Sequence, residues 1–63
     1  MKKIIILIPV FNDWEFLIKL INEISENIKE YKSIDFECLV VNDASTILQP
    51  QIIKPNNIKS LQI

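Results

Sequence analysis

Two residues at the ends of apolar runs carry side chains that suit a flat heterocyclic ligand. Phe11 follows the first apolar run of the chain, and Asp43 follows the second. An aromatic ring offers a face for stacking, and a carboxylate accepts a hydrogen bond from a ring N–H group. Ser45 adds a small hydroxyl close to Asp43, and the backbone near Pro9 and Val10 adds amide and carbonyl groups. This set of groups suits a flat heterocycle.

Both key residues also have a purely structural interpretation. Asp43 lies in an Asn-Asp-Ala-Ser-Thr segment, and such segments routinely cap turns or the start of a helix. Phe11 could equally be an aromatic residue of the core. The two residues alone do not decide between these alternatives, so the elements that position them matter.

Each of the two residues follows a predicted buried strand. The first strand covers residues 3–8, an isoleucine-rich run, and Pro9 is expected to end it because proline cannot donate to a central ladder. The second covers residues 36–41, and Cys38 to Val41 are expected to be buried on both faces, as in a parallel sheet. A third strand is predicted at residues 58–63.

An amphipathic helix is predicted between the first two strands, at residues 13–31. Asn12 is the expected N-cap, and Glu15 stands where it would complete a capping box. One apolar stripe runs along this helix at alternating steps of four and three, which is typical of a helix packed on a sheet: Leu17, Ile21, Ile24, Ile28 and Tyr31. Residues 47–53 are a candidate short helix, with Pro50 in its first turn.

Strand, helix and strand in this order predict a βαβ unit with parallel strands. The carboxyl ends of both strands then lie at one edge of the sheet, where ligands bind in open α/β folds. We therefore expect the loops 9–12 and 42–45 to form the two walls of one crevice.

Composition excludes several classes of function. The 63 residues include no arginine, and the net charge of −1 argues against a nucleic-acid-binding surface. No glycine is present, which removes the phosphate-binding P-loop and the dinucleotide fingerprint. One cysteine and no histidine leave neither an internal disulfide nor a zinc site. No apolar run is long enough for a membrane span, so we expect a cytoplasmic chain.

The two loops together resemble a known family. Ile-Pro-Val-Phe-Asn-Asp at residues 8–13 and Leu-Val-Val-Asn-Asp-Ala-Ser-Thr at residues 39–46 look like the opening of a family-2 glycosyltransferase of GT-A fold. In that family a Pro-Val-Tyr-Asn-like loop precedes the helix, and a Val-Asp-Asp-Gly-Ser motif ends the second strand. The resemblance implies the amino-terminal βαβ(β) part of a Rossmann-like nucleotide-diphospho-sugar transferase fold.

The resemblance also implies roles for individual residues. The nucleotide base would be lined by the residues of the first loop, Pro9, Val10, Phe11 and Asn12, with Phe11 in place of the usual tyrosine. Asp43 matches the second acid of the Asp-Asp pair, which contacts the uracil or guanine edge, and Ser45 matches the motif serine. The expected partner is thus a UDP- or GDP-linked sugar.

Two positions depart from the family motif. Asn42 replaces the first acid, and Ala44 replaces glycine. Alanine disfavours a positive φ by roughly 1 kcal/mol, so the turn is either not left-handed or mildly strained.

The family's Asp-x-Asp motif, acceptor site and catalytic base have no counterpart in residues 1–63. A divalent cation, magnesium or manganese, is therefore expected only in a full-length relative, and residues 1–63 would be a partial domain without catalytic residues, inactive alone. The alternatives are a non-catalytic α/β module that binds a nucleotide or a protein, or a decayed gene fragment. A receiver-type acidic pocket fits poorly, because the first strand ends in Pro-Val-Phe-Asn rather than in acids.

Overall fold

The computed structural model describes residues 2–63, which form a three-stranded parallel sheet with one helix. The elements are β1 (Lys2–Val10), α1 (Trp14–Asn27), β2 (Ile34–Asn42) and β3 (Ser60–Gln62). The strand order is β1-β2-β3, and both pairs are parallel. The predicted α/β class, the parallel strands and the helix between them are confirmed.

Proline does not end the first strand, contrary to the prediction. β1 continues through Pro9 to Val10, and Pro9 stands opposite Val41 in the ladder. Among the described residues β1 pairs only with β2 and so lies at the edge of the sheet. A proline is tolerated there because half of the backbone groups of an edge strand have no ladder partner.

The core lies on one face of the sheet, between the strands and α1. Its side chains come from β1, α1, β2 and the segment that follows β2: Ile8, Val10, Trp14, Leu17, Ile21, Cys38, Val40 and Ile58. The irregular segment between β2 and β3 covers the same face, since Ile58 is fully buried there and Ile52 packs against it. The sheet therefore forms one layer, and α1 together with this irregular segment forms the second.

The opposite face of the sheet is apolar and uncovered by the described residues. Its side chains alternate with the core positions along β1 and β2, and they are exposed: Ile5, Leu7, Leu39 and Val41. Burial of the second strand on both faces was thus a wrong prediction. Cys38 and Val40 are 2% exposed, but Leu39 is 40% and Val41 46% exposed, because the helix covers only one side.

The helix is shorter than predicted, and it begins differently. Asp13, not Asn12, holds the N-cap position, and its side chain makes no capping hydrogen bond. The helix ends at Asn27, and the chain turns back toward β2 through main-chain hydrogen bonds from Tyr31 to Ile28 and from Ile34 to Tyr31. Tyr31 leaves the helical stripe and packs edge-on against Phe36, with ring centroids 6.4 Å apart.

Residues 47–53 are not helical, and the third strand is shorter than predicted. At the start of this segment the N–H of Ile47 donates to Asn12 Oδ1, and the carbonyl oxygen of Ile47 accepts from Trp14 Nε1. β3 begins at Ser60, after the Lys59 N–H donates to the Phe36 carbonyl oxygen at 2.8 Å.

Candidate functional site

The carboxyl ends of β1 and β2 meet at one edge of the sheet, as the sequence predicts. Val10, the last residue of β1, pairs in register with Asn42, the last residue of β2. The main-chain N–H of Asp43 then donates to the Val10 carbonyl oxygen at 2.8 Å. Phe11 and Asp43 are thus the first residues beyond the last paired positions of two adjacent strands. Adjacent strands lie about 4.8 Å apart, so the two loops are neighbours.

Phe11 is not part of the core. Its side chain is 56% exposed, although phenylalanine is among the residues most often buried. The interpretation of Phe11 as an ordinary core aromatic is therefore wrong. The ring lies outside the core, just beyond the end of β1, and more than half of it is open to solvent.

Asn42, rather than Asp43, makes the capping contact in the second loop. The Asn42 Oδ1 atom accepts a hydrogen bond of 3.1 Å from the main-chain N–H of Ser45. The exposed carboxylate of Asp43 makes no hydrogen bond to any other residue in the described range 2–63. The turn is thus stabilised without the Asp43 side chain, which leaves both carboxylate oxygens open to solvent or to a ligand.

Asn12 joins the two loops through several hydrogen bonds. Its main-chain N–H donates to Ser45 Oγ at 2.9 Å, across 33 positions of sequence. Its side-chain Oδ1 accepts from the main-chain N–H groups of Thr46 and Ile47, both at 2.8 Å. Its Nδ2 donates to Thr46 Oγ1 at 3.2 Å. We call these contacts between Asn12 and residues 45–47 the loop clamp.

Trp14 extends the loop clamp into the core. Its indole Nε1 donates to the Ile47 carbonyl oxygen at 3.0 Å, while the side chain is only 4% exposed. The second loop is therefore fixed to the first turn of α1 as well as to the end of β1. Sequence reasoning missed these roles of Trp14, Thr46 and Ile47, and no local pattern indicates contacts between residues so distant in sequence.

The second loop contains a left-handed alanine. Ala44 has φ 55°, and Asn12 in the facing loop has φ 62°. Asparagine tolerates this region far better than alanine does. Of the two possibilities left open for Ala44, the structure shows the left-handed turn, and the Cβ of Ala44 makes it mildly strained.

A cavity of about 510 Å³ lies beside the crevice, between the start of α1 and residues 47–50. The side chains of Asp13 and Glu15 line it together with apolar groups from Phe16, Ile47 and Leu48. The carboxylates complement the positive end of the helix dipole and oppose the binding of a bare phosphate there. This cavity is therefore a poor site for a phosphate group.

Comparison with known protein families identifies the chain. Residues 5–61 match the model of glycosyl transferase family 2. The chain belongs to glycosyl transferase family 2. The match covers β1 from Ile5 onward, both loops of the crevice, α1 and β2, and the parallel βαβ arrangement is that of the predicted Rossmann-like GT-A class. No curated protein and no solved structure matches the chain.

Membership of glycosyl transferase family 2 connects the chain with glycosyl transfer, a reaction for which this family commonly uses a divalent cation. Within residues 2–63, no group of three or more histidine, cysteine, aspartate or glutamate side chains could hold a metal ion. The carboxylates of the crevice therefore do not fit a metal site, and we assign none of them to one.

No helix in the described part of the chain is long and apolar enough to cross a membrane.

Proposed function

We propose that this chain forms the base-binding half of the donor site of a glycosyltransferase. In this proposal the enzyme transfers a sugar from a nucleotide-diphospho-sugar to an acceptor, and the crevice between the two loops receives the base. Phe11 stacks on the heterocycle, and the carboxylate of Asp43 accepts a hydrogen bond from a ring N–H. On this proposal, residues 2–63 bind the donor and supply no group for the chemical step itself.

The observation that carries the proposal is the pairing of an exposed aromatic ring with an unpartnered carboxylate. Phe11 is 56% exposed, and Asp43 is tied to the end of β1 through its backbone, at 2.8 Å from the Val10 oxygen. The strand ends fix both residues, while their side chains remain available. An aromatic face beside a hydrogen-bond acceptor matches the face and the edge of a nucleobase.

The other predicted binding residues contribute in different ways. The side chain of Val10 is buried, and its carbonyl oxygen already accepts the Asp43 N–H, so Val10 positions the loop. Pro9 is exposed and stands beside Val41 in the ladder. Ser45 Oγ accepts the Asn12 N–H, which leaves the hydroxyl proton of Ser45 free to be donated to a ligand.

The chemistry of Asp43 favours two bases. Uracil and guanine each carry a ring N–H beside carbonyl oxygens, whereas adenine and cytosine lack this N–H in their normal tautomers. Once a bound base has covered this exposed carboxylate, an acceptor left without its donor costs about 1–3 kcal/mol. We therefore expect uridine or guanosine diphosphate to bind roughly ten- to a hundredfold more tightly than the adenosine or cytidine counterpart.

Titration of the isotope-labelled chain with the four nucleoside diphosphates, followed by NMR, tests the proposal. The amide signals of Phe11 and Asp43 are expected to shift with UDP or GDP at lower concentrations than with ADP or CDP. Uridine alone is the matched ligand control, because a site for the base retains much of its affinity when the phosphates are removed. Equal shifts with all four nucleotides, or shifts confined to residues outside the two loops, would contradict the proposal.

A second candidate function is a protein-binding module without a nucleotide. The uncovered sheet face favours it, because Leu7 is 64% and Ile5 58% exposed on an apolar surface. The same titration separates the two functions, since a module of this kind gives no base-dependent shifts at Phe11 and Asp43.

A further inference from the structure

Asn12 has almost no hydrogen-bonding capacity left for a ligand. A carboxamide offers two N–H donors and one oxygen with two lone pairs. Both lone pairs of Oδ1 are used by the N–H groups of Thr46 and Ile47, and one Nδ2 proton is used by Thr46 Oγ1. The main-chain N–H of Asn12 is also used, by Ser45 Oγ. One Nδ2 proton remains, so the side chain of Asn12 has a single donor and no acceptor left with which to recognise a base.

The backbone of Asn12 restricts the choice of residue as well. Its φ of 62° lies in the left-handed region, which asparagine, aspartate and glycine occupy more readily than other residues. Glycine could adopt this φ but offers no acceptor to the N–H groups of residues 46 and 47. Asparagine meets both requirements, which indicates that position 12 is shaped by the second loop.

The contacts of the two loops form a closed frame around the crevice. At one end the Asp43 N–H donates to the Val10 oxygen, and at the other end the Asn12 N–H donates to Ser45 Oγ. In the first loop Phe11 lies between Val10 and Asn12, the two bonded residues. In the second loop Asp43 is itself the residue bonded to Val10. Removal of the Asn12 carboxamide would keep the backbone contacts Asp43–Val10 and Asn12–Ser45 but release residues 46 and 47. We expect the Asp43 carboxylate in the same loop then to be held less firmly relative to the Phe11 ring.

We propose that Asn12 is a positioning residue, which sets the base preference of the crevice by holding Asp43 against Phe11 without contacting the nucleotide. This inference rests on the proposed function, in which Phe11 and Asp43 bind the base. It departs from the role that the family resemblance implies for Asn12, namely lining the base.

Three variants separate positioning from general stability. Asn12→Gly keeps the left-handed backbone and removes the carboxamide. Asn12→Asp keeps two lone pairs for the N–H groups of residues 46 and 47, and Thr46 Oγ1 can reverse its hydrogen bond toward the new carboxylate. Asn57→Gly is the matched control, because the Asn57 side chain also joins distant segments: it accepts from Ser25 Oγ at 2.6 Å and donates to the Ser25 carbonyl oxygen at 2.7 Å. That contact lies near the other end of α1.

The first readout is the ratio of the dissociation constants for CDP and UDP. The wild-type ratio is expected to be roughly ten- to a hundredfold. Asn12→Gly should lower it to below about threefold, and Asn12→Asp should restore most of it. Asn57→Gly should change only the folded fraction, which weakens the binding of both nucleotides equally and keeps the ratio. A ratio that survives in Asn12→Gly overturns the inference, as does a ratio that falls equally in Asn57→Gly.

The second readout needs no nucleotide and is amide hydrogen exchange. In Asn12→Gly, the amides of Asp43, Thr46 and Ile47 should exchange at least about tenfold faster, while Val40 inside β2 should be unchanged. If only Thr46 and Ile47 are affected, Asn12 fixes the later part of the loop alone, and its effect on Asp43 is refuted. If the exchange result is as expected but wild type binds no nucleotide, the positioning role stands and the proposed base site fails.

Discussion

The main-chain N–H of Asp43 donates a hydrogen bond of 2.8 Å to the carbonyl oxygen of Val10. This contact extends the β1–β2 ladder by one step beyond Asn42, its last paired residue in β2. It places the residue after β1, Phe11, beside the residue after β2, and both side chains are exposed. The account of the site depends on this relationship, and each prediction below follows from it or from the layers that support it.

Replacement of Phe11 should weaken all nucleotides with little change in their ranking. Phe11→Leu keeps an apolar side chain but removes the face on which a base stacks. Stacking of a base on an aromatic residue is worth about 1–3 kcal/mol, so we expect a loss of roughly five- to a hundredfold for each of the four nucleoside diphosphates. Calorimetric titration measures this loss. Phe16→Leu, which changes another exposed aromatic residue on α1, is the control and should leave the affinities unchanged.

Glycine at position 44 should stabilise the chain. Ala44 has φ 55°, and relief of this strain gains about 1–2 kcal/mol, whereas the added freedom of the unfolded chain costs about 0.4–1 kcal/mol. Ala44→Gly is therefore expected to raise the free energy of unfolding by up to about 1.5 kcal/mol in urea titrations. Ser33→Gly is the control, because Ser33 is an exposed turn residue without a positive φ and shows the entropic cost alone. A loss of stability in Ala44→Gly would show that the left-handed turn is unstrained.

The uncovered sheet face should make the chain associate in solution. Leu7 and Leu39 are neighbours on this face, and they are 64% and 40% exposed. Exposed apolar patches of this kind promote association. Sedimentation at increasing concentrations should show less self-association for Leu7→Thr/Leu39→Thr than for wild type. Leu48→Thr, at a side chain that is 90% exposed outside the sheet, is the control. A wild-type chain that stays monomeric at high concentration would contradict this prediction.

Because of the buried thiol of Cys38, the free energy of unfolding should decrease at alkaline pH. Burial in the core raises the pKa of the Cys38 thiol above its ordinary value of 9.0. The folded chain therefore keeps the proton while the unfolded chain releases it, and the thiol contributes stability that is lost as the pH rises above about 9. The difference in free energy of unfolding between wild type and Cys38→Ala should shrink between pH 8 and pH 10.5. A difference that stays constant over this range would show that the thiol ionises equally in both states.

Local patterns were sufficient to predict the architecture. The β-branched run of β1, the apolar stripe of α1 and the second apolar run predict strand, helix and strand, and the parallel topology follows from the length of the connection. Leu17 and Ile21 of that stripe are 1% exposed. The common edge of the two loops follows from the topology alone, which is why the neighbouring positions of Phe11 and Asp43 could be predicted.

Tertiary contacts decided the features that the sequence did not predict. Asparagine is a preferred residue at the N-cap of a helix, but the side chain of Asn12 bonds to the main chain of Thr46 and Ile47 instead. The same contacts hold the start of the segment 47–53, which is not helical. Pro9 remains in β1 because, within residues 2–63, this strand has a partner on one side only, a position that no local pattern reveals. Capping preferences describe neighbours in sequence and thus cannot show competition from a segment more than thirty residues away.

The base preference of the Asp43→Asn variant tests the central claim most directly. The substitution keeps the shape of the side chain but places an N–H where a uracil or guanine ring also presents one. Calorimetric titration of the four nucleoside diphosphates should show that wild type prefers UDP or GDP roughly ten- to a hundredfold and that Asp43→Asn loses most of this preference. Asp35→Asn is the control, since it makes the same change at the opposite end of β2, where Asp35 forms an exposed ion pair with Lys59. An unchanged ranking in Asp43→Asn would contradict the account, because the carboxylate would then have no part in recognising the base.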